Sequence, residues 1–271
     1  MAYNIFNEAH GDHTIFPSGG GNQLCWKSNA SMTWGMNLHL IRLTNVDPAR
    51  HGGVQGCMEC HGPNEWCQTR GGIGCCPDGS FCPVIKTGNA SDAPKDYFYR
   101  YTVWYLPGDD PRAKQGAIMT LDISSNPACQ HEFNVPSKEL GFSQELQTFR
   151  PHFNMRVSRM RGHLHMGGYN VSLYRGGVPD PAKRVCVVHS TYGTEEGTPF
   201  NEKGFLVGVG GCEFQDPDAP FVLEKGELYT IEAIYNAGQK DPQLFASGHH
   251  DGVMAWAIVL GERCKTAGCA P

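Results

Sequence analysis

His163-Leu164-His165 is the constellation in this chain most able to do chemistry. In an extended strand alternate side chains share a face, so residues 163 and 165 can present two imidazoles to one metal ion. Such a pair asks for a third ligand. The clearest candidate lies far down the chain, in Gly248-His249-His250-Asp251-Gly252-Val253-Met254, where an apolar strand begins. Two imidazoles with the Met254 thioether select copper, because soft sulfur suits Cu(I) and imidazole suits both oxidation states. Zinc is the lesser alternative and needs a nitrogen or oxygen donor in place of the thioether, from His250 or His189. A His-x-His pair is also found as a polar strand edge, and a strand methionine is ordinarily core.

The cysteines carry a second set of chemistries. Cys57-Met58-Glu59-Cys60-His61 has the spacing of covalent haem attachment. Haem also requires an axial partner and an apolar pocket, and this stretch is surrounded by Gly, Pro, Cys67, Cys75, Cys76 and Cys82, so haem is disfavoured. A zinc thiolate cage from the same residues conflicts with an oxidising compartment. Disulfides are the expected state of Cys57, Cys60, Cys67, Cys75, Cys76 and Cys82. Cys186 and Cys212, in neighbouring strand candidates, are expected to bridge, and Cys264 and Cys269 to pin the tail, with connectivity open.

The elements that must position these residues are strands. With 271 residues, 40% hydrophobic and 18% charged, the chain suffices for one large β unit or two sandwiches. Strand candidates rich in aromatic and β-branched residues recur at 32–43, 97–106, 116–123, 160–174, 184–190, 204–209, 227–235 and 253–260, punctuated by Gly, Pro and Asp. The expected fold is all-β, an antiparallel sandwich. Only Pro136 to Leu146 hints at helix. Residues 51–95 lack apolar periodicity and read as a disulfide-rich insertion. The expected division is an incomplete N-terminal sandwich over 1–115 and a C-terminal sandwich over 116–271 that carries the histidine pair.

Charge and compartment narrow the partners. A net charge of −5 without a basic run gives no footprint for nucleic acid. No apolar stretch is long enough for a membrane-spanning helix. Twelve cysteines and Asn-x-Ser sequons at Asn29, Asn89 and Asn170 point to a secreted, extracellular or endomembrane-lumen glycoprotein. The first ten residues lack the basic and apolar regions of a signal peptide, so the export signal is expected outside this chain. The expected partner is a small molecule or an extracellular protein, or one covering an exposed sheet edge.

Taken in order, four stretches resemble the stress up-regulated nodulin family of plant-type secreted proteins. They are Cys57-x-x-Cys60 with Cys75-Cys76-x-Asp78-Gly79-x-x-Cys82; Tyr99-Arg100-Tyr101-Thr102-Val103; Gly162 to Tyr174; and Gly248 to Met254. The last two also resemble the C-terminal domain of copper type II, ascorbate-dependent monooxygenases, which include peptidylglycine alpha-hydroxylating monooxygenase. That resemblance implies a jelly-roll sandwich, a stress-response protein, and His163, His165 and Met254 as copper ligands. It makes His250 an additional ligand or a residue behind one. His39 is similar to a histidine of the second, electron-supplying copper site. The adjacent His-His pair of that second site has no counterpart here, so the resemblance implies copper binding and redox or oxygenase potential rather than a complete two-copper enzyme.

Overall fold

In the computed structural model the described residues are 105–107, 109–124, 133, 135, 141–195, 201, 203–204, 206–214, 216, 219–236 and 253–264, with the backbone of 23–25, 60–63 and 70–74. They form thirteen strands and a single 3-10 turn at Pro181–Lys183. The first sheet joins β1 (Gln23–Cys25), β4 (Ala113–Asp122), β13 (Ala255–Cys264), β6 (Asn154–Leu164) and β10 (Gly211–Glu213) in that order, with β11 (Val222–Leu223) also on β6. The second runs β5 (Phe142–Phe149), β12 (Tyr229–Asn236), β7 (Gly168–Arg175), β8 (Arg184–Tyr192) and β9 (Leu206–Val209). Pairing within both sheets is antiparallel except where β1 lies parallel to β4. A separate hairpin pairs β2 (Cys60–Pro63) with β3 (Arg70–Gly74).

The two sheets close on one apolar cluster. Met155, Val157, Met160, Leu164, Ala257 and Val259 from the first sheet meet Val171, Leu173, Val188, Ile231, Ala233 and Tyr235 from the second. This two-layer burial is what period-2 strands with one apolar face require. The expected all-β fold is therefore observed. Among the described residues no helix is long and apolar enough to cross a membrane.

The facing of β6 depends on one irregularity. Met155 and Val157 point into the core, and strict alternation would then send 159, 161 and 163 inward as well. Instead the register with β13 slips, so that Leu260 pairs with Arg159 while Gly261 pairs with Val157. Ser158 is the extra residue of a β-bulge, and beyond it the buried set becomes Met160, Gly162 and Leu164. The bulge turns Arg159, Arg161 and His163 to the outer face. Gly261 makes it possible: a Cβ there would lie 2.1 Å from the Arg156 carbonyl oxygen.

Two expectations need correction. The helix hint over 136–146 is overruled from residue 142, where Phe142–Phe149 pairs along the whole of β12 as an edge strand. Its alternating burial matches a half-buried strand, and cross-strand pairing outweighs weak local helix preference. Residues 1–50 read as loop outside 32–43, yet Gln23–Cys25 joins the first sheet. Cys186 and Cys212 do form a disulfide, with Cα atoms 6.2 Å apart. Their strands are neighbours across the sandwich rather than within a sheet, so the bond stitches β8 to β10. Cys264 is also disulfide-bonded. Cys57, Cys67, Cys75, Cys76, Cys82 and Cys269 lie outside the described residues, as does the Cys60 side chain.

Candidate metal centre

His163 is the penultimate residue of β6, and His165 opens the turn that carries the chain across to β7 in the other sheet. Their rings stand 5.3 Å apart between centroids, at 72° to each other. Trp256, the register partner of His163 on β13, stacks on the His163 ring at 4.8 Å and 28°. A flat indole against one face holds the imidazole plane fixed. Both His163 ring nitrogens are shielded from solvent.

Met254 belongs to the same face. On β13, Ala255, Ala257 and Val259 enter the central core, while Ile258 and Leu260, with Met254 just before the strand, are buried without joining that cluster. Alternation thus places Met254 and Trp256 on the outer side with His163. The ladder pairs Trp256 with His163 and Ala255 with Leu164, so one further step sets Met254 opposite His165. At that step the ladder contains a side chain. The His165 amide donates to the Tyr235 hydroxyl at 3.1 Å, and that hydroxyl donates to the Met254 carbonyl at 2.5 Å. Tyr235 rises from β12 in the opposite sheet, fully buried, with Phe133 edge-on to its ring at 5.6 Å. Phe133 in turn exchanges two backbone hydrogen bonds with Val253, beside Met254.

The turn after His165 is fixed just as firmly. The Gly168 amide donates to the His165 carbonyl at 3.0 Å, and Gly167 takes φ 91°, a value that favours glycine at the third position of a type II turn. The Tyr192 hydroxyl clamps it, accepting from the Gly167 amide and donating to the Gly168 carbonyl, each at 2.9 Å. Burial pushes the Tyr192 phenol up to about 12, the Gly167 hydrogen bond opposing only in part. A folded value above the unfolded one near 10 means the clamp's contribution is intact below pH 10 and lost as pH rises through 12. We expect roughly 2–3 kcal/mol of stability to disappear over that window. Denaturant titrations at stepped pH should show the loss shrinking in Tyr192→Phe.

The remaining candidates separate cleanly. His189 is exposed on β8, on the outer face of the second sheet with Tyr169, so the sandwich stands between it and His163. It cannot serve as the nitrogen ligand weighed for zinc. Glu232 lies on that same remote face, where it accepts from the Tyr174 hydroxyl at 2.6 Å and pairs with the Gln144 amide. His250 and His39 lie outside the described residues. Among the described residues no three His, Cys, Asp or Glu side chains gather to hold a metal ion. Of the sequons, Asn170 sits on β7 between two strands, half-buried, with its amide oxygen shielded and Ser172 2% exposed. Asn29 and Asn89 lie outside the described residues.

Sequence reasoning missed Trp256, Tyr192 and Tyr235. Trp256 had a signal, since it lies two residues after Met254 on a strand and so shares its face. The two tyrosines had none: Tyr235 reaches the His165 backbone from the other sheet, and Tyr192 reaches the turn after it from β8, more than twenty residues later.

Comparison with known proteins adds one firm result. No curated protein matches the chain. A solved chain from a cryo-EM structure of the extra small virus particle of the giant freshwater prawn Macrobrachium rosenbergii is 15% identical, covering 65% of this chain and 94% of its own, with a TM-score of 0.23. A likeness that weak carries no argument. The family described as stress up-regulated Nod 19 matches residues 20–260, which include both sheets up to Leu260 in β13 and the whole histidine-methionine face. The chain therefore belongs to the stress up-regulated Nod 19 family.

Proposed function

We propose that this protein binds one copper ion through His163 and His165, with the Met254 thioether as third donor, and acts in a secreted or lumenal setting. The observation that carries the proposal is the ring spacing. Two imidazoles sharing a tetrahedral ion at about 2 Å hold their centroids about 5 Å apart, close to the 5.3 Å between His163 and His165. The donor set fits as well, since imidazoles with a thioether favour copper over zinc. Bound there, copper would supply one-electron redox chemistry. His163, braced by Trp256, and His165, tethered through its amide, would hold the ion at the outer face, with buried Ile258 the next residue along that face of β13. The finer assignment, a sandwich of the copper type II monooxygenase kind, rests on the same arrangement of strand-end histidines beside a methionine. The disulfide-bonded Cys186, Cys212 and Cys264 support the oxidising compartment.

A second reading makes the chain an extracellular interaction protein without catalysis. It draws support from Phe142 and Tyr169, whose rings meet at 5.5 Å while remaining 60% and 48% exposed. Exposed aromatics of this kind mark binding surfaces for a small molecule or another protein. Metal analysis separates the two. Protein purified without added metal and then titrated with Cu(I) and Cu(II) should take up about one tightly held copper, and His163→Ala should lower its affinity at least 100-fold. Absence of binding would leave only the second reading.

A further inference from the structure

We propose that Tyr235 is a positioning residue for the metal centre: its hydroxyl, set between the His165 and Met254 backbones, fixes the methionine against the histidine pair. This rests on the copper assignment above. Beyond the bulge the ladder between β6 and β13 runs regularly from Leu260 and Arg159 to Ala255 and Leu164 and then admits a hydroxyl from the other sheet. Direct backbone pairing at the next step would bring the strands to ordinary ladder separation. The interposed oxygen instead bridges an amide donor to a carbonyl acceptor and spreads the two backbones at the step that holds the candidate ligands. Its ring is 0% exposed and edge-packed by Phe133, whose own bridge to Val253 ties the same oxygen's acceptor strand in place. A hydroxyl held in this way acts through the ligands it spaces and touches no metal.

Tyr235→Phe removes the oxygen and keeps the ring. Tyr229→Phe is the matched control, because Tyr229 is also 0% exposed on β12 and its hydroxyl is 2.6 Å from Glu227, far from the histidines in the ladder. In copper-loaded protein we expect Tyr235→Phe to weaken Cu(I) binding roughly 10–100-fold, the effect of losing an outer-shell partner. X-ray absorption should show the copper–sulfur shell diminished while imidazole scattering persists. Tyr229→Phe should leave both unchanged. Retained affinity and an intact sulfur shell in Tyr235→Phe would overturn the proposal while leaving the copper assignment standing. A wild-type protein that binds no copper would overturn the assignment, and the role of Tyr235 in it. Metal-free protein supplies an independent measurement that needs no variant: the His165 amide should be among the slowly exchanging amides, and rapid exchange there would remove the brace itself.

Discussion

Gly261→Ala should be the most damaging single methyl in the described structure. The added carbon would stand 2.1 Å from the Arg156 carbonyl oxygen and 2.9 Å from the Met155 side chain. Overpacking a core commonly costs about 1–3 kcal/mol when neighbouring side chains can move. Here the principal obstacle is backbone, paired in the middle of a sheet, so we expect about 3 kcal/mol or more. For a β unit of this size that is roughly 6–12 °C in Tm. The consequence for the site is larger than the loss of stability. The bulge opposite Gly261 is what sends His163 outward, and removing it would turn the whole distal half of β6 by one face. Calorimetry and a copper titration on the same variant should therefore fail together. A variant of unchanged Tm would show that β6 does not depend on this contact.

Breaking the Cys186–Cys212 bond should have the next largest effect. It closes a loop of sequence separation 26, for which the chain-entropy estimate is about 3.5 kcal/mol. Against a total stability of about 5–15 kcal/mol, that is enough to leave a marginal protein partly unfolded at body temperature. The bond also joins the two layers, through β8 and β10, next to the strand that carries the histidines. The double substitution to serine should lower the urea midpoint and raise the slope somewhat, because the unfolded chain without the cross-link is more expanded, whereas an unchanged midpoint would mean that the apolar cluster alone holds the layers. Reductant applied to the wild-type protein should lower the midpoint at least as far, since it also opens the disulfide of Cys264.

The legible and illegible parts of this molecule differ by range. Period-2 apolar strands gave the all-β class, and the strands at 184–190, 227–235 and 253–260 are found within a few residues of where alternation places them. The histidine pair and Met254 were legible because strand spacing is local and the intervening glycines mark the turn. Their face was not legible. It depends on a one-residue slip at Ser158 that no alternation pattern announces, and on a glycine about a hundred residues later. Cys186 and Cys212 were legible as a pair, although the sequence could not say that they belong to different sheets. Tyr235 was beyond reach for the same reason, since its hydroxyl acts across the sandwich, and Tyr192 because its turn partners lie more than twenty residues away.

In the proposed centre His163 and His165 jointly hold one copper ion. Following the imidazole resonances of all twelve histidines during titration with diamagnetic Cu(I) tests it most directly. We predict that His163 and His165 shift together and saturate at one equivalent, with His189 unmoved. Saturation at other histidines while these two stay fixed, or no saturable shift in any of the twelve, would contradict it.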